Sequence, residues 1–599
     1  MCGIIGYTGK NLCQNILVNS LKTLEYRGYD SAGIAYQQEN SISIIKAGGR
    51  ISALEEKLAS SPARANCGIG HTRWATHGAP TDINAHPHGN EKIAVVHNGI
   101  IENYLEIKDF LSSHGVSFLS QTDSEVISAL LLFHYNGDPI DAIEKTVAML
   151  KGSFAVAAIF SCSKNTIYAF RKDSPLIIGI GNGENFITSD ISAILPFTKK
   201  YFILQESELA IVTNEKVSVF LDGAPVEKIF EEASWEENAA KMDGFPHFML
   251  KEIHEQPKVL RDTINAHLKD GLPAFPAQSF KNISRITIVA CGTAMHAGLI
   301  GKNIIEQLAR VSVNTEVASE FRYKNPIISE NELVILVSQS GETADTLAAL
   351  RLAKSRGAHT LAVVNVPHST IAREADSIIN TLAGPEIAVA STKAYSSQVA
   401  AMYLLAIAIA KVKNVITEDA AKSLCADLLA SADDVASLLK CDNVYKEVAR
   451  KIAPADSVFF IGRGLDYVTA LEGSLKLKEI SYIHCEAYPA GELKHGTISL
   501  ISDGVPVVAI CTQQNVCDKL QSNVKEVAAR GADVIFVTSL ADNIDAADNA
   551  FVVPVPSSPD FFAALTTIVP LQMISYFTAI ERGCDVDKPR NLAKSVTVE

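Results

Sequence analysis

The chain of 599 residues is predicted to open with an α+β unit rich in sheet, residues 2–235, followed by two α/β units with parallel sheets, residues 284–425 and 450–585. Three observations predict this order. In the first third, short apolar runs are broken by Gly, Asn and Asp, with helical patterns between them, as in α+β chains. From about residue 284 the apolar runs are continuous rather than alternating, and helix-length segments separate them. That is the pattern of a parallel sheet covered on both faces. The pattern then returns about 170 residues later, as a duplication would place it. Ser457-Val-Phe-Phe-Ile-Gly-Arg-Gly464 echoes Thr287-Ile-Val-Ala-Cys-Gly-Thr293, and Gly504-Val-Pro-Val-Val-Ala-Ile510 echoes the run from Leu333. Arg530-Gly-Ala-Asp-Val-Ile-Phe-Val537 echoes Arg356-Gly-Ala-His-Thr-Leu-Ala-Val363 in the same register.

Taken in order, Ile93–Val96, Phe154–Ile159 and Leu176–Ile180 have strand composition. Ser124–Tyr135 and Ile140–Leu150 have helical spacing, with Asp123 and Asp138 as candidate starts. The polar, acidic segment 234–246 is expected to begin a linker, residues 236–283, that includes a helix from His247 to about His267. Ile286–Ala290, Leu333–Val337 and Thr360–Val364 are the expected strands of the first parallel sheet. The apolar stretch Val399–Val412 is expected to be a buried helix: it is short for a bilayer span and ends between Lys411 and Lys413. Glu472–Ile480 is helical in pattern, and residues 586–599 form a tail.

Composition limits the function. The net charge is −14 with no Lys/Arg-rich run, which argues against nucleic-acid binding but allows a local positive pocket for a small anion. Eleven scattered cysteines without a CxxC pair suggest free thiols in a reducing compartment. With no signal peptide pattern and no membrane span expected, the expectation is a cytoplasmic protein that needs no metal or other cofactor.

Cys2 is the first candidate for chemistry. Its small side chain favours removal of Met1, which would leave a thiol nucleophile and a free α-amine on one residue. His71-Thr-Arg-Trp-Ala-Thr-His-Gly78, His97-Asn-Gly99 and Gln121-Thr-Asp-Ser-Glu125 supply what a thiol amidase needs. Acyl transfer develops charge on a carbonyl oxygen, and the Asn98 amide with the Gly99 N–H can receive it. Arg73 can grip a substrate carboxylate as a fork, and Asp123 can pair with its ammonium.

With Glu25-Tyr-Arg-Gly-Tyr-Asp-Ser-Ala-Gly33 and Asn84-Ala-His-Pro-His88, these segments resemble the class II glutamine amidotransferase domain over residues 2 to about 220. The resemblance implies a four-layer αββα sandwich of the N-terminal-nucleophile type. It implies Cys2 as nucleophile, Asn98 and Gly99 as oxyanion hole, and Arg73, Thr76, His77 and Asp123 as glutamine-binding residues. Trp74 resembles the residue that gates ammonia in that family.

In the second half, Ser338-Gln-Ser-Gly-Glu-Thr343 follows a strand and opens a helix, where hydroxyls, a glycine and free N–H groups make a phosphate cradle. It is not a Walker loop, since GxxxxGK[ST] is missing. Lys476 and Glu479 are three apart and share a helix face. His484-Cys-Glu-Ala-Tyr488 and Gly491-Glu-Leu-Lys-His-Gly496 follow, dense in acid and base groups.

SQSGET, Val389-Ala-Ser-Thr-Lys393, Leu471–His484, GELKHG and the ending from Asp585 resemble the paired sugar isomerase (SIS) domains of the glutamine–fructose-6-phosphate aminotransferase family. Carried over, Thr293, Ser338, Gln339, Ser340, Thr343, Val389, Ser391 and Lys476 would bind the sugar phosphate. Lys594 would form a Schiff base with the ketose and Glu479 would move a proton between C1 and C2. His495 would open the sugar ring, supplied by the neighbouring subunit of a homodimer built through the SIS domains. The implied substrates are L-glutamine and D-fructose 6-phosphate, with ammonia passing internally between two sites, as the first step of amino-sugar synthesis. Ala294 departs from the pattern, because a sugar-contacting serine is expected there.

Two alternatives differ in class. Another class II amidotransferase would need a phosphoribosyl diphosphate motif or an SGGxDS loop in the second half, and neither occurs. A sugar-phosphate-binding regulator would need neither Cys2 nor the tail lysine.

Overall fold

The computed structural model describes residues 2–62, 64–232, 242–276, 278–544, 550–557 and 559–597. The chain forms two units, Met1–Ala239 with Ser595–Glu599, and Ala240–Lys594. The acidic stretch expected to open the linker falls largely outside the described residues, as does Met1.

The first unit is built on two antiparallel sheets of eight and seven described strands. The centre of one runs Glu184–Thr188, Gly3–Gly9, Cys67–Arg73, Ser31–Gln37, and the centre of the other Thr166–Lys172, Gly152–Phe160, Ile93–Ile101. Side chains alternate between sheet faces, and here both faces are buried. Ala94, Val96, Ala155, Ala157 and Ile159 pack inward against Ile4, Ala35 and Ile69 of the facing sheet. Their neighbours Ile93, Val95, Val156, Ala158 and Phe160 face outward onto the helices Glu125–His134 and Pro139–Met149. Ile5, Tyr7 and Ile34 face the helices Cys13–Leu24 and Ile51–Ser60 on the other side. The result is the αββα sandwich. Alanines on the inner face allow the two sheets to approach closely.

Asp138 caps the helix Pro139–Met149, accepting the Ile140 N–H at 2.9 Å. Asp123 does not cap its helix. Ser124 takes the N-cap position of Glu125–His134, and the Asp123 carboxylate instead accepts the Ile101 N–H at 2.9 Å.

The second unit begins with the helix Phe248–Ala266, within one residue of the expected bounds. Two five-stranded parallel sheets follow. The first runs Ser312–Val317, Arg285–Ala290, Glu332–Ser338, His359–Val364, Ser377–Asn380. The second runs His484–Pro489, Ser457–Gly462, Pro506–Cys511, Asp533–Thr538, Phe551–Pro554. Both have strand order 2-1-3-4-5, and each sequence echo falls on strands in the same place of that order. The apolar stretch expected at Val399–Val412 starts six residues earlier, as Lys393–Val412. At 20 residues it is long and apolar enough to cross a bilayer, which corrects the sequence expectation, as is the segment Asp560–Glu581. Each buries 89% of its apolar window inside the fold, as a core helix does.

Candidate active sites

Cys2 immediately precedes the strand Gly3–Gly9, whose register places Gly3 opposite Thr72 and brings Arg73 and Trp74 alongside. The Cys2 Sγ accepts the Trp74 N–H at 3.3 Å and lies 3.7 Å from the Trp74 carbonyl. Across the sandwich, Asn98 Nδ2 donates to the Cys2 carbonyl at 3.1 Å. Burial pushes the thiol pKa up, opposed by the Trp74 backbone and the Arg73 charge and reinforced by Asp123. Arg73 and Asp123 are thus both near the sulfur. Arg73 is buried and donates to the carbonyls of His77, Gly78 (3.0 Å) and Ala79 (3.4 Å). Among the described residues this leaves the Nε–H and one Nη1–H of the five guanidinium donors for a ligand. His77 Nδ1 lies 3.2 Å from the Thr76 hydroxyl, and its ring packs edge-on against Tyr104.

Gly99 has φ +137°, and a Cβ there would lie 2.0 Å from the Ser153 carbonyl oxygen. Gly99→Ala is therefore expected to destabilise the first unit by about 3 kcal/mol and to remove its activity. Thermal melting against the parent protein checks this, and an unchanged melting temperature would refute it.

Behind Asn98 lies a buried group of histidines that sequence reasoning did not assemble. The rings of His71 and His86 are 4.0 Å apart, and those of His86 and His88 4.6 Å. His97 completes the group, with Nδ1 2.8 Å from the Ser124 hydroxyl. Among the described residues no three His, Cys, Asp or Glu side chains converge as metal ligands. Burial drives the His71 pKa down to about 3 and those of His86 and His88 well below the usual range; His97 is lowered as well. A neutral His71 with Nε2 2.9 Å from the His97 carbonyl and 3.1 Å from Asn98 Oδ1 must carry its proton on Nε2. That donation fixes which end of the Asn98 amide faces Cys2.

The sign of the pH effect follows. These folded-state pKa values are depressed, so the unfolded chain binds more protons below about 6.5. Stability is fully present above that pH and falls as pH drops, by about 1.4 kcal/mol per pH unit for each histidine. Unfolding of the first unit is expected to shift to markedly lower temperature between pH 7.5 and 5.5. Both ring nitrogens of His86 are buried without a partner among the described residues, so His86→Leu should flatten that dependence. Parallel melts of the parent and H86L proteins test it, and equal slopes would refute it.

In the second unit, Thr293 and the Ser338–Thr343 loop follow adjacent strands, Arg285–Ala290 and Glu332–Ser338. This is the point where strand order reverses, the usual ligand crevice of an open parallel sheet. The Ser338 hydroxyl accepts the Gly341 N–H at 3.0 Å and lies 2.9 Å from that of Thr343, which is the N-cap of the helix Ala344–Ser355. The Ser340 hydroxyl accepts the Glu342 N–H at 3.2 Å, and Gln339 holds the Asn365 N–H through its carbonyl at 3.2 Å. A Cβ on Gly341 would meet the Ser369 hydroxyl at 1.9 Å, so only glycine lets the loop close.

The tail is held rather than loose. The Asp587 carboxylate accepts the N–H groups of Phe248 and Met249, and its carbonyl accepts the Val389 N–H at 3.0 Å. This brings Lys594 Nζ to Glu386 and to the Ser391 hydroxyl at 3.0 Å. Burial acts to raise the Glu386 pKa, but the Lys594 ammonium outweighs it and keeps the carboxylate ionised. Neighbouring Glu252 is raised to about 8 by burial and by Glu386. Lys594 also acts on Glu479, linking the tail to the helix Leu465–Ser481. On that helix Lys476 pairs with Glu479 at 2.6 Å and donates to Thr293 Oγ1 at 3.0 Å. Burial raises the Glu479 pKa, with Lys476 pulling it back.

Of the expected sugar-site residues, Thr293, Val389, Ser391, Lys476, Glu479 and Lys594 are thus joined by direct contacts or charge. His495 is not: it ends the turn Ala490–His495 and is exposed. Sequence reasoning missed Glu386 and Glu472. The available signal was a lone carboxylate in an apolar setting, as in Gly384-Pro-Glu-Ile-Ala-Val389.

The matching crevice of the second sheet is closed. The buried Asp466 carboxylate accepts the Thr512 N–H at 2.8 Å, the Gln513 N–H at 3.3 Å and the Thr512 hydroxyl. Burial raises its pKa to about 7.

A cysteine whose thiol meets a tryptophan backbone and whose carbonyl meets an asparagine amide, on an αββα sandwich followed by two SIS-type sheets, defines a glutamine amidotransferase coupled to a sugar isomerase. The glutamine amidotransferase domain family matches residues 71–196, and the SIS domain family matches 279–408 and 451–582. A glutamine–fructose-6-phosphate aminotransferase [isomerizing] of Clostridium tetani is 49% identical over 609 residues, and one of Aquifex aeolicus 46% over 606, each covering 100% of both chains. The solved C-terminal domain of the glucosamine-fructose-6-phosphate aminotransferase from Francisella tularensis is 41% identical, with TM-score 0.57, over 58% of this chain and 100% of that one. The chain belongs to the glutamine–fructose-6-phosphate aminotransferase (isomerizing) family.

Proposed function

We infer that the chain converts L-glutamine and D-fructose 6-phosphate into L-glutamate and D-glucosamine 6-phosphate, the first step of amino-sugar synthesis. The observation that carries this reading is Lys594, held at Glu386 and Ser391 beside Glu479, in a chain that also holds Cys2 against Trp74 and Asn98.

Cys2 Sγ attacks the side-chain amide of glutamine, its α-amine carrying the proton once Met1 is removed. Asn98 Nδ2 and the Gly99 N–H receive the oxyanion. Arg73 takes the α-carboxylate, Asp123 takes the ammonium, and Thr76 and His77 close the pocket. Ammonia leaves, Trp74 gates its passage, and water hydrolyses the thioester. Internal transfer avoids the loss that protonation in solvent would bring.

At the sugar, Ser338, Gln339, Ser340 and Thr343 hold the phosphate, while Thr293, Val389, Ser391 and Lys476 line the carbon chain. Glu386 accepts the proton that the Lys594 ammonium must lose. The amine then condenses with the C2 carbonyl, releasing water. Ammonia displaces Lys594 from C2, and Glu479 carries a proton from C1 to C2 to give the 2-amino aldose. His495 is exposed on its own chain, which fits ring opening in a second copy and supports a homodimer joined through the SIS domains. Eleven free cysteines support a cytoplasmic setting. The domain limits 2–235, 284–425, 450–585 and 586–599 belong to the same reading.

The test is product analysis. Glutamate and glucosamine 6-phosphate should appear one for one from glutamine and fructose 6-phosphate, without ATP. An ATP requirement, or glutamate without amino sugar, would overturn it.

A further inference from the structure

His296 lies on the second turn of the helix Gly292–Ala309, about one helical turn beyond Thr293 and on the same face. Together these two residues hold both oxygens of Glu472, a carboxylate in the helix Leu465–Ser481. Thr293 Oγ1 donates to Oε1 at 3.1 Å, and His296 Nδ1 meets Oε2 at 2.7 Å. Glu472 and Lys476 are both fully buried, and their charges are 3.4 Å apart. Lys476 turns its other side to Glu479 at 2.6 Å. A continuous chain of contacts, buried at Glu472 and Lys476, therefore runs from His296 to the proposed proton-moving base.

We propose that His296 is a positioning residue for the sugar chemistry: by holding Glu472, it leaves the Lys476 ammonium to Glu479 and so sets the basicity of that carboxylate. The physical argument concerns one cation shared by two buried anions. A buried carboxylate without enough donors draws the nearest cation to itself. With His296 in place, Glu472 is satisfied at both oxygens and Lys476 sits closer to Glu479 than to Glu472. Without His296, Glu472 loses one of its short contacts and competes for Lys476. Glu479 then loses part of the charge that keeps it ionised, against a burial that favours its neutral form.

The other groups facing this network do not replace His296. Lys594 acts on Glu479 from the tail. Tyr395, from the helix Lys393–Val412, faces Glu472 with a buried hydroxyl that has no hydrogen-bond partner among the described residues. On the helix Ala563–Glu581, Leu571 packs against Gly473. His296 is the hydrogen-bonding partner that the first SIS domain supplies to Glu472 on a helix of the second.

The inference rests on the role proposed above for Glu479. Its test uses the full-length enzyme with saturating fructose 6-phosphate and glutamine, and follows amino-sugar formation across pH 5.5–9. In His296→Leu, the acid limb of kcat should be displaced upward by about one pH unit, so that kcat falls by up to about tenfold along that limb. The KM for fructose 6-phosphate should stay within about twofold, because His296 is not assigned to the sugar. His296→Gln, whose amide can still donate to Glu472, should restore most of the profile. An acid limb that stays in place or moves down overturns the proposal, as does a KM increase with kcat unchanged. A uniform loss at every pH in both variants also overturns it, since that reports damaged packing. Glu479→Gln is run alongside: if it kept full activity, the reading of Glu479 itself would fail, whatever His296 does.

Discussion

Cys2→Ala is expected to abolish glutamine hydrolysis and glutamine-dependent amino-sugar synthesis, by about four orders of magnitude or more, while sugar isomerisation and ammonia-dependent synthesis persist. The reasoning is local. The Sγ is the group held by the Trp74 N–H, and Asn98 reaches the same residue from the facing sheet. Alanine removes the attacking atom without enlarging any side chain, so the sandwich should stand. The two units also fold around separate cores, one between the paired sheets and one around the parallel sheets. Glutamate release and amino-sugar formation with added ammonium salt, measured on one preparation, give the two readouts. Wild-type glutamine hydrolysis in the variant would remove Cys2 as nucleophile.

Lys594→Ala should produce the converse. Ketose chemistry is expected to fall by at least about a thousandfold with either nitrogen source, while glutamine hydrolysis is retained. The loss has two physical parts. The amine that would condense with C2 is gone, and Glu386 is left as a buried carboxylate without its cation. Glu386 should then take up a proton or draw on Lys393, which pairs with nearby Glu255 at 2.6 Å. Lys594→Arg separates the parts, since it keeps the charge but cannot form a Schiff base. Equal inactivity of K594A and K594R points to the covalent role. Recovery in K594R would reduce Lys594 to a counter-ion.

The legible parts of the molecule were those written in short segments. HTRWATHG, HNG and SQSGET place several functional groups within three to eight residues, so local spacing is enough to suggest their chemistry. The duplicated sheet was legible for a similar reason: a strand buried on both faces admits few sequences, and its echo survives. Asp123 was assigned to a helix start because it precedes one, but the Ile101 N–H of the neighbouring sheet claims its carboxylate. What stayed hidden depends on long-range closure. His296 meets Glu472 across 176 residues, and Lys594 meets Glu386 across 208. No periodicity links such pairs. Only the packing of the helix Gly292–Ala309 on Leu465–Ser481, and the anchoring of the tail at Asp587, brings them together.

Asp466 gives the duplication a definite outcome. Both sheets have the crevice that reversed strand order creates, yet in the second a resident carboxylate already takes the backbone donors that an incoming phosphate would need. The two halves have therefore not become two workshops. One keeps the bench, with its hydroxyl loop open; the other has given up its own and lends tools across the boundary, on the helix that carries Glu472, Lys476 and Glu479. On the reading proposed above, the sugar site is a single centre assembled from unequal contributors, and neither half on its own holds a complete set.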